Sequence, residues 1–425
     1  MRQTLAIVLA GGEGQRLAPL TRERSKPAVF FGGVRLVDFV LSNLVNSGVR
    51  HIKVVTQYRS TSLVRHLARA WPTMANLGSY EVDAVPAAMN LGPSWFKGTA
   101  DAIWQNLDLL REHRPTDVCV FSSDHVYKMD VSEMLSEHRR NEAAVTVAVT
   151  EVPRSEAHAF GCVDVDETGK VIGFLEKPSD PPAMPGKPDT TLVSMGNYVF
   201  RTPVLLDELR RCMNEPGTRY DFGRDILASC HERMSVRAYN FSNHLCPGES
   251  EHARGYWRDV GTLDAYHQAS MDLVSVHPQL DLYNDEWPIR GQQSGHGPAK
   301  FVFADKDKQR VGTAIDSIVG SGSIISGAHL ERTVCFEKVR VHSYAQVTDS
   351  VVFPRAEIGR NCRLRRCIID KGVKVPPGTI IGEDLEADRA RFTVSDEGVV
   401  VVERAAFGQT DEFDIGRQEL LQPVR

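Results

Sequence analysis

An apolar residue at every sixth position restricts the C-terminal part of this chain to very few architectures. Ile318, Ile324 and Leu330 lie six apart. After a slip Val341, Val347 and Phe353 follow, then Ile358 and Leu364, and finally Ile369, Val375 and Ile381. Six is neither the helical period of roughly 3.6 nor the strand period of about two. It is the hexapeptide signature of a β-helix, in which each six-residue face turns one apolar side chain into a stacked interior. Gly320, Gly322, Gly327, Gly359, Gly372 and Gly382 supply turn-prone corners. A meander of short strands is the alternative reading.

The opposite end of the chain carries a different signal. Leu5 to Ala10 form a continuous apolar run of strand length, Gly11, Gly12 and Gly14 follow at once, and Arg16 and Lys26 add positive charge to the same loop. Residues without a Cβ let the backbone turn sharply and press its N–H groups against phosphates, while the two cations neutralise them. The Walker lysine-serine pair is absent and the spacing is not that of the dinucleotide fingerprint. Up to about Ala265, strand-like runs (His51 to Thr56, Asp117 to Phe121, Ala144 to Val149) alternate with helical stretches such as Ser62 to Ala70. Such alternation predicts an α/β domain with a mainly parallel, Rossmann-like sheet whose ligands sit at the carboxyl ends of the strands. Residues 281–310, rich in Gly, Gln, Pro and charge, read as a linker between a domain of residues 1–280 and a β-helix domain of residues 311–425.

With 425 residues the chain is long enough for two or three domains, and a formal charge of −5 argues against a general nucleic-acid or membrane-surface binder. The eight cysteines include no CxxC pair, so reduced thiols are expected rather than zinc or a disulfide framework. The first apolar run is too short for a signal-peptide core, and no run reaches membrane-spanning length, so a cytoplasmic location is expected.

Two carboxylates stand out. Asp124, in VCVFSSDHVYK, ends a buried-looking strand opposite the glycine loop, where it could hold Mg²⁺ against nucleotide phosphates; alone it reads equally as a cap. Asp259, in GYWRDVGT, is a second such group or a capping residue beside Arg258. In GFLEKP, Glu176 suits sugar hydroxyls and Lys177 a phosphate, before Pro178 forces a turn. Gly98 and Thr99, in WFKGTADA, fit a close backbone approach followed by a helix start.

The N-terminal string resembles the sugar-phosphate nucleotidyltransferase signature GGxGxRLxPLTxxxxKP. With SKPAVFFGG, TQY, WFKGTADA, SDHVYKMD, GFLEKP, SMGNYVF, YWRDVGT and WPIR, followed by the hexapeptide region, almost the whole chain resembles the bacterial ADP-glucose pyrophosphorylase (glucose-1-phosphate adenylyltransferase) family. The resemblance implies a nucleotidyltransferase domain followed by a left-handed β-helix. It also implies Mg²⁺-dependent formation of ADP-glucose and pyrophosphate from ATP and α-glucose 1-phosphate, for glycogen or another α-glucan, under allosteric control in a homotetramer. By resemblance, Arg16, Lys26, Asp124, Lys177 and Asp259 would be catalytic, with Asp124 and Asp259 holding the metal. Gly11, Gly12, Gly14, Gln57, Trp95, Gly98 and Thr99 would line the nucleotide side with Arg16 and Lys26. Phe96, Gly161, Glu176, Lys177 and Ser194 would face glucose 1-phosphate, and Arg24, Arg35, Arg365 and Lys371 would take regulatory anions.

Four departures from the family pattern stand beside that implication. Ser123 replaces the Gly that usually precedes the metal-binding Asp, with weaker ATP binding as the expected consequence, and Phe96 replaces a Tyr that contacts the sugar phosphate. Glu23 stands where relatives activated by fructose 1,6-bisphosphate carry a lysine, and the turn FGGVRLVDF is one residue short. A weakened paralogue serving as a regulatory subunit, or a transferase using another nucleotide, are the alternatives.

Overall fold

A computed structural model describes residues 4–72, 80–87, 95–292, 295–305 and 307–409. The last part of the expected β-helix domain, residues 410–425, lies outside them.

The N-terminal domain is built on one twisted sheet. Its strands are β1 (Thr4–Ala10), β2 (His51–Thr56), β3 (Glu81–Pro86), β4 (Asp117–Ser122), β5 (Val145–Pro153), β6 (Gly161–Val165), β7 (Val171–Glu176), β8 (Thr190–Arg201) and β9 (Val236–Asn240). The main path runs β7-β6-β8-β4-β1-β2-β3, with β5 joined to β8 and β9. β4, β1, β2 and β3 are mutually parallel, and β1 is buried almost throughout, which is why it reads as an unbroken apolar run. The long β8 runs antiparallel to β4, β5 and β6 and slips register between Ser194 and Tyr198. Such a bulge re-aims side chains, and here it turns Ser194, Gly196 and Tyr198 toward the cleft at the strand ends.

Beyond residue 300 short strands stack in parallel coils. Val341 pairs with Ile358 and Ile358 with Val375, while Leu330, Val347, Leu364 and Ile381 form a second column. Each of these steps is seventeen residues except the first pairing of Ile325 with Val341, which is sixteen. A coil is therefore one residue short of three hexapeptides, and this explains the slip in the sixfold apolar pattern once per turn. From Leu330 onward every residue of that pattern is buried; Ile318 and Ile324, on the opening coil, are half-buried.

The stretch expected as a linker is held at both ends. Asn43 accepts from the Trp287 indole at 3.1 Å, Asn46 donates to the Pro288 carbonyl at 3.1 Å, and Lys300–Val302 is a strand of the coil stack paired with Ile324–Ser326. Its Gly- and Pro-rich composition concealed a docked strap, because the contacts are made by Asn and Ser on the helix Leu36–Asn46 rather than by a periodic face of the strap itself.

The coil stack packs directly on the sheet domain. Phe30 meets Phe336 and Phe353 edge-on at 5.7 and 5.4 Å between ring centroids, Tyr266 approaches Phe353 at 6.2 Å, and His267 Nε2 lies 2.7 Å from the Asp349 carbonyl. One apolar cluster thus runs from Leu17 and Leu20, beside the glycine loop, through the helix Leu263–Asp272 to Val351 and Ile368. No helix among the described residues is long and apolar enough to cross a membrane.

Candidate active site

A cavity of about 480 Å³ opens at the carboxyl ends of β1, β2 and β4, lined there by Leu9, Ala10, Val55 and Ser122. The glycine loop forms its lip. Gly14 adopts φ +64°, and a Cβ on it would stand 2.9 Å from Lys26 Cβ; only glycine lets the loop fold against that lysine. Lys26 is buried, and its ammonium lies 2.9 Å from Asp124 Oδ2 and 3.0 Å from Asp259 Oδ1. Arg16 stays largely exposed, 3.9 Å from Asp259 Oδ2.

Electrostatics make this a fixed charge cluster. Burial by itself would raise the Asp124 carboxyl, but His125, Lys26 and a hydrogen bond from Ser122 outweigh it and hold the group well below the usual carboxylate range. Burial would likewise lower Lys26, yet Asp124 and Asp259 hold it above the ordinary lysine value. His125 Nε2 is 3.7 Å from Asp124 and 3.9 Å from Asp259.

Ser123 does not point its hydroxyl at the cleft's contents. It is buried and donates to the Leu9 carbonyl at 2.6 Å, tying the end of β4 to β1. The hydroxyl is therefore taken up by the neighbouring strand, while Ser123 itself remains on the cavity wall.

On the opposite wall Gln57 exchanges hydrogen bonds with the Phe96 backbone, accepting from its N–H at 2.7 Å and donating to its carbonyl at 3.3 Å. Gly98 passes so close to the chain at 219–220 that a Cβ would be 2.5 Å from the Arg219 oxygen and 2.4 Å from that of Tyr220. Thr99 opens the helix Thr99–Trp104 and receives the Phe222 N–H at 3.0 Å. The expected close approach and helix start are both present, and the close approach is to protein backbone.

Gly161 sits under Phe174 and Glu176 with no room for a side chain, its Cβ position being 2.9 Å from Phe174 Cζ. Ser194 and Tyr198 face each other at 3.4 Å between oxygens, and burial pushes the Tyr198 hydroxyl up to about 12. Lys177 takes the left-handed conformation at φ +49°, donates its N–H to the Phe160 carbonyl and is largely exposed.

The cavity wall therefore gathers Gly11, Gly12, Gly14, Lys26, Gln57, Phe96, Gly98, Thr99, Asp124, Gly161, Glu176 and Ser194, and Asp259 joins through Lys26. Arg16, Trp95 and Lys177 are not part of that wall, and Trp95 is exposed. Sequence reasoning missed His125, Gly196, Tyr198, Asp221 and Gly223 on the wall. His125 and Tyr198 lay inside quoted motifs, whereas Asp221 and Gly223 fall in a short stretch with no periodic signal.

The four regulatory candidates separate. Arg24 is buried in a bidentate pair with Asp370, at 2.7 and 3.2 Å. Burial lowers the Arg35 guanidinium to about 10, with Arg24 and Arg65 adding repulsion against Asp38, and Lys371 is lowered by burial and then by Arg35, Arg24 and Arg355. Arg365 lies exposed on the strand Arg363–Arg365.

A glycine-rich loop after the first strand of a parallel sheet, closing over a lysine shared by two carboxylates, is the architecture of a nucleotidyltransferase. The Nucleotidyl transferase family model matches residues 5–276, and the GlmU-like, C-terminal hexapeptide model matches residues 297–402. Full-length relatives narrow this class. A glucose-1-phosphate adenylyltransferase of Anaeromyxobacter sp. (strain Fw109-5) is 50% identical over 95% of this chain and 99% of its own length. Others from Methylococcus capsulatus and Anaeromyxobacter dehalogenans are 47% and 51% identical over 97% and 95% of the chain, and over 96% and 98% of their own lengths. The chain belongs to the glucose-1-phosphate adenylyltransferase family.

Proposed function

We propose that this chain transfers the adenylyl group of ATP to α-glucose 1-phosphate, releasing pyrophosphate and ADP-glucose for an α-glucan such as glycogen. The observation that carries the reading is the Lys26 ammonium held between Asp124 and Asp259 at the lip of a cavity of triphosphate-plus-sugar size. A cation already bridges the two carboxylates, so the donor set fits Mg²⁺, a hard ion that prefers oxygen ligands. When bound, Mg²⁺ supplies charge neutralisation to the phosphates.

The remaining work falls to the chain's own groups. The nucleophile is the sugar-phosphate oxygen, so no covalent enzyme intermediate is needed, and the protein contributes orientation and charge. The glycine loop offers backbone N–H groups to the triphosphate, with Lys26 and the exposed Arg16 countering its charge. Gln57 holds the Phe96 backbone on the nucleotide side, Gly98 and Thr99 extend that wall, and Trp95, exposed outside it, closes on the nucleotide from the solvent side. Glu176, Ser194 and Gly161 receive the sugar, and Lys177, on its solvent-facing turn, closes on the sugar phosphate.

Arg24, Arg35 and Lys371, which repel one another at the domain junction, form the core of an effector site for phosphorylated ligands or nucleotides, with Arg365 outside it. Exposed Phe301, Phe303 and Ile315 on the opening coils support self-association, which we read as a tetramer in the cytoplasm.

The test is pyrophosphate release from purified protein with Mg²⁺ and glucose 1-phosphate, comparing ATP with dTTP, UTP and GTP. Release with ATP alone, abolished in Asp124→Asn, is expected. Release with another nucleotide instead, or full activity in Asp124→Asn, overturns the proposal.

A further inference from the structure

We propose that His51, Glu81 and His113 form a binding site for one divalent transition-metal ion of the Zn²⁺ class, at the end of the sheet opposite the catalytic cavity. His51 and Glu81 open β2 and β3 and are direct partners in the parallel register, while His113 ends the helix Asp108–His113. The cavity lies at the carboxyl end of β2 and His51 at its start, so the two sites are separated by the length of that strand.

The geometry is close to that of a loaded site. One ligand atom from each of the three residues lies within 4.8 Å of the others, the one such group among the described residues. Ligands at about 2.0–2.1 Å around a tetrahedral Zn²⁺ are roughly 3.3 Å apart. His51 Nδ1 and Glu81 Oε2 are already 3.1 Å apart, and the His51 and His113 rings lie 4.8 Å apart between centroids with their planes tilted by 41°. Closure then asks for a shift of about 1.5 Å in a side chain at a helix end.

The surroundings favour metal over a plain hydrogen-bonded cluster. His113 Nε2 is buried with no hydrogen-bond partner among the described residues, leaving an imidazole nitrogen whose pairing is incomplete. Lys53 Nζ holds Glu81 Oε1 at 2.5 Å and orients the carboxylate so that Oε2 turns toward His51. Two imidazoles and one carboxylate suit Zn²⁺, Ni²⁺ or Co²⁺ and not Mg²⁺ or Ca²⁺, which take oxygen ligands. His51 and Glu81 are 38% and 35% exposed, so an ion can enter from solvent and keep a water as its remaining ligand. Bound there, it would pin β2, β3 and the helix Asp108–His113 together.

The test is calorimetric titration of the full chain with ZnSO₄, in an Asp124→Asn, Asp259→Asn background that removes the two carboxylates paired with Lys26 in the cleft, with MgCl₂ as the comparison. Thermal unfolding and Co²⁺ absorption are recorded on the same samples. One equivalent of Zn²⁺ is expected, with a raised unfolding midpoint and visible Co²⁺ bands. His51→Ala and His113→Ala should each weaken Zn²⁺ binding at least about 10-fold, since even partners of ligands cost that much, and remove the Co²⁺ bands. If either alanine variant fails to fold, Glu81→Gln, which keeps the side chain's shape, gives the same reading. Zn²⁺ affinity unchanged in these variants, or binding no tighter than Mg²⁺, overturns the site.

Discussion

Replacing Gly98 by alanine should damage catalysis far more than its single added carbon suggests. Gly98 carries no left-handed strain, its backbone being extended at φ −174°. The cost comes from space alone: the new Cβ would lie 2.4 Å from the Tyr220 oxygen and 2.5 Å from the Arg219 oxygen, where ordinary contact begins at 3.4 Å. The two backbones must part by about 1 Å, because neither obstacle is a side chain that can swing away. Overpacking of this kind costs about 1–3 kcal/mol. The hydrogen bond from the Ala100 N–H to the Tyr220 carbonyl, 2.7 Å long, is lost with it, adding about 1 kcal/mol. A loss of about 2–4 kcal/mol leaves a domain of ordinary stability folded at 25 °C. The same displacement moves Thr99, with Phe96 beside it, away from its bonded neighbours Asp221 and Phe222 on the cavity wall, and a misplacement of 1 Å lowers rates by about 100-fold. Steady-state pyrophosphate release and thermal unfolding should be measured beside Gly297→Ala, whose Cβ meets nothing within 4 Å. Wild-type kcat/KM and midpoint in Gly98→Ala would refute the claim that backbone contact shapes this wall.

Two further outcomes are expected. Ser123→Ala should lower stability by about 1 kcal/mol through loss of its bond to the Leu9 carbonyl while leaving the KM for ATP unchanged, measured by urea unfolding and initial rates; a large KM change would mean the hydroxyl faces the nucleotide. His138 is lowered from 6.5 to about 4 by burial and by Arg201 and Arg139, against the pull of Asp117. The folded chain then binds fewer protons at this site than the unfolded chain between about pH 4 and 6.5, so its contribution falls as pH drops through that window. The loss from pH 7 to pH 4 should reach about 3 kcal/mol, and His138→Gln should flatten the stability-pH curve by that amount in denaturant titrations.

Much of the site could be read locally because its parts are short motifs with local causes. The glycine loop follows the first strand for a reason visible in the string: a buried strand must end in a turn, and a turn that meets phosphate needs residues without a Cβ. Lys26 was legible from the same string. Its partners were legible only as separate carboxylates, since Asp124 and Asp259 are drawn to one ammonium by a packing that joins β4 to the segment just before the helix Leu263–Asp272. The bond of Ser123 to the Leu9 carbonyl was not legible, because residue type alone does not say which way the hydroxyl turns. Asp221 and Gly223 carried no signal, being placed by the meeting of their chain with Gly98.

The sequence by itself determined what periodicity and residue type can encode: a buried parallel strand followed by a glycine loop, and a coil stack whose apolar residues recur at six with a slip. Those patterns record how each residue faces its own element, which neighbouring residues decide. The tertiary structure alone decided what depends on residues distant in the chain. It set the seventeen-residue turn that causes the slip, docked the strap of 281–290 on Asn43 and Asn46, and fused the two domains through Phe30, Phe336 and Phe353. It also brought His51, Glu81 and His113 together at the far end of the sheet. Such meetings depend on the relative placement of whole elements, a placement selected by burial across the entire core and written in no single stretch of the chain.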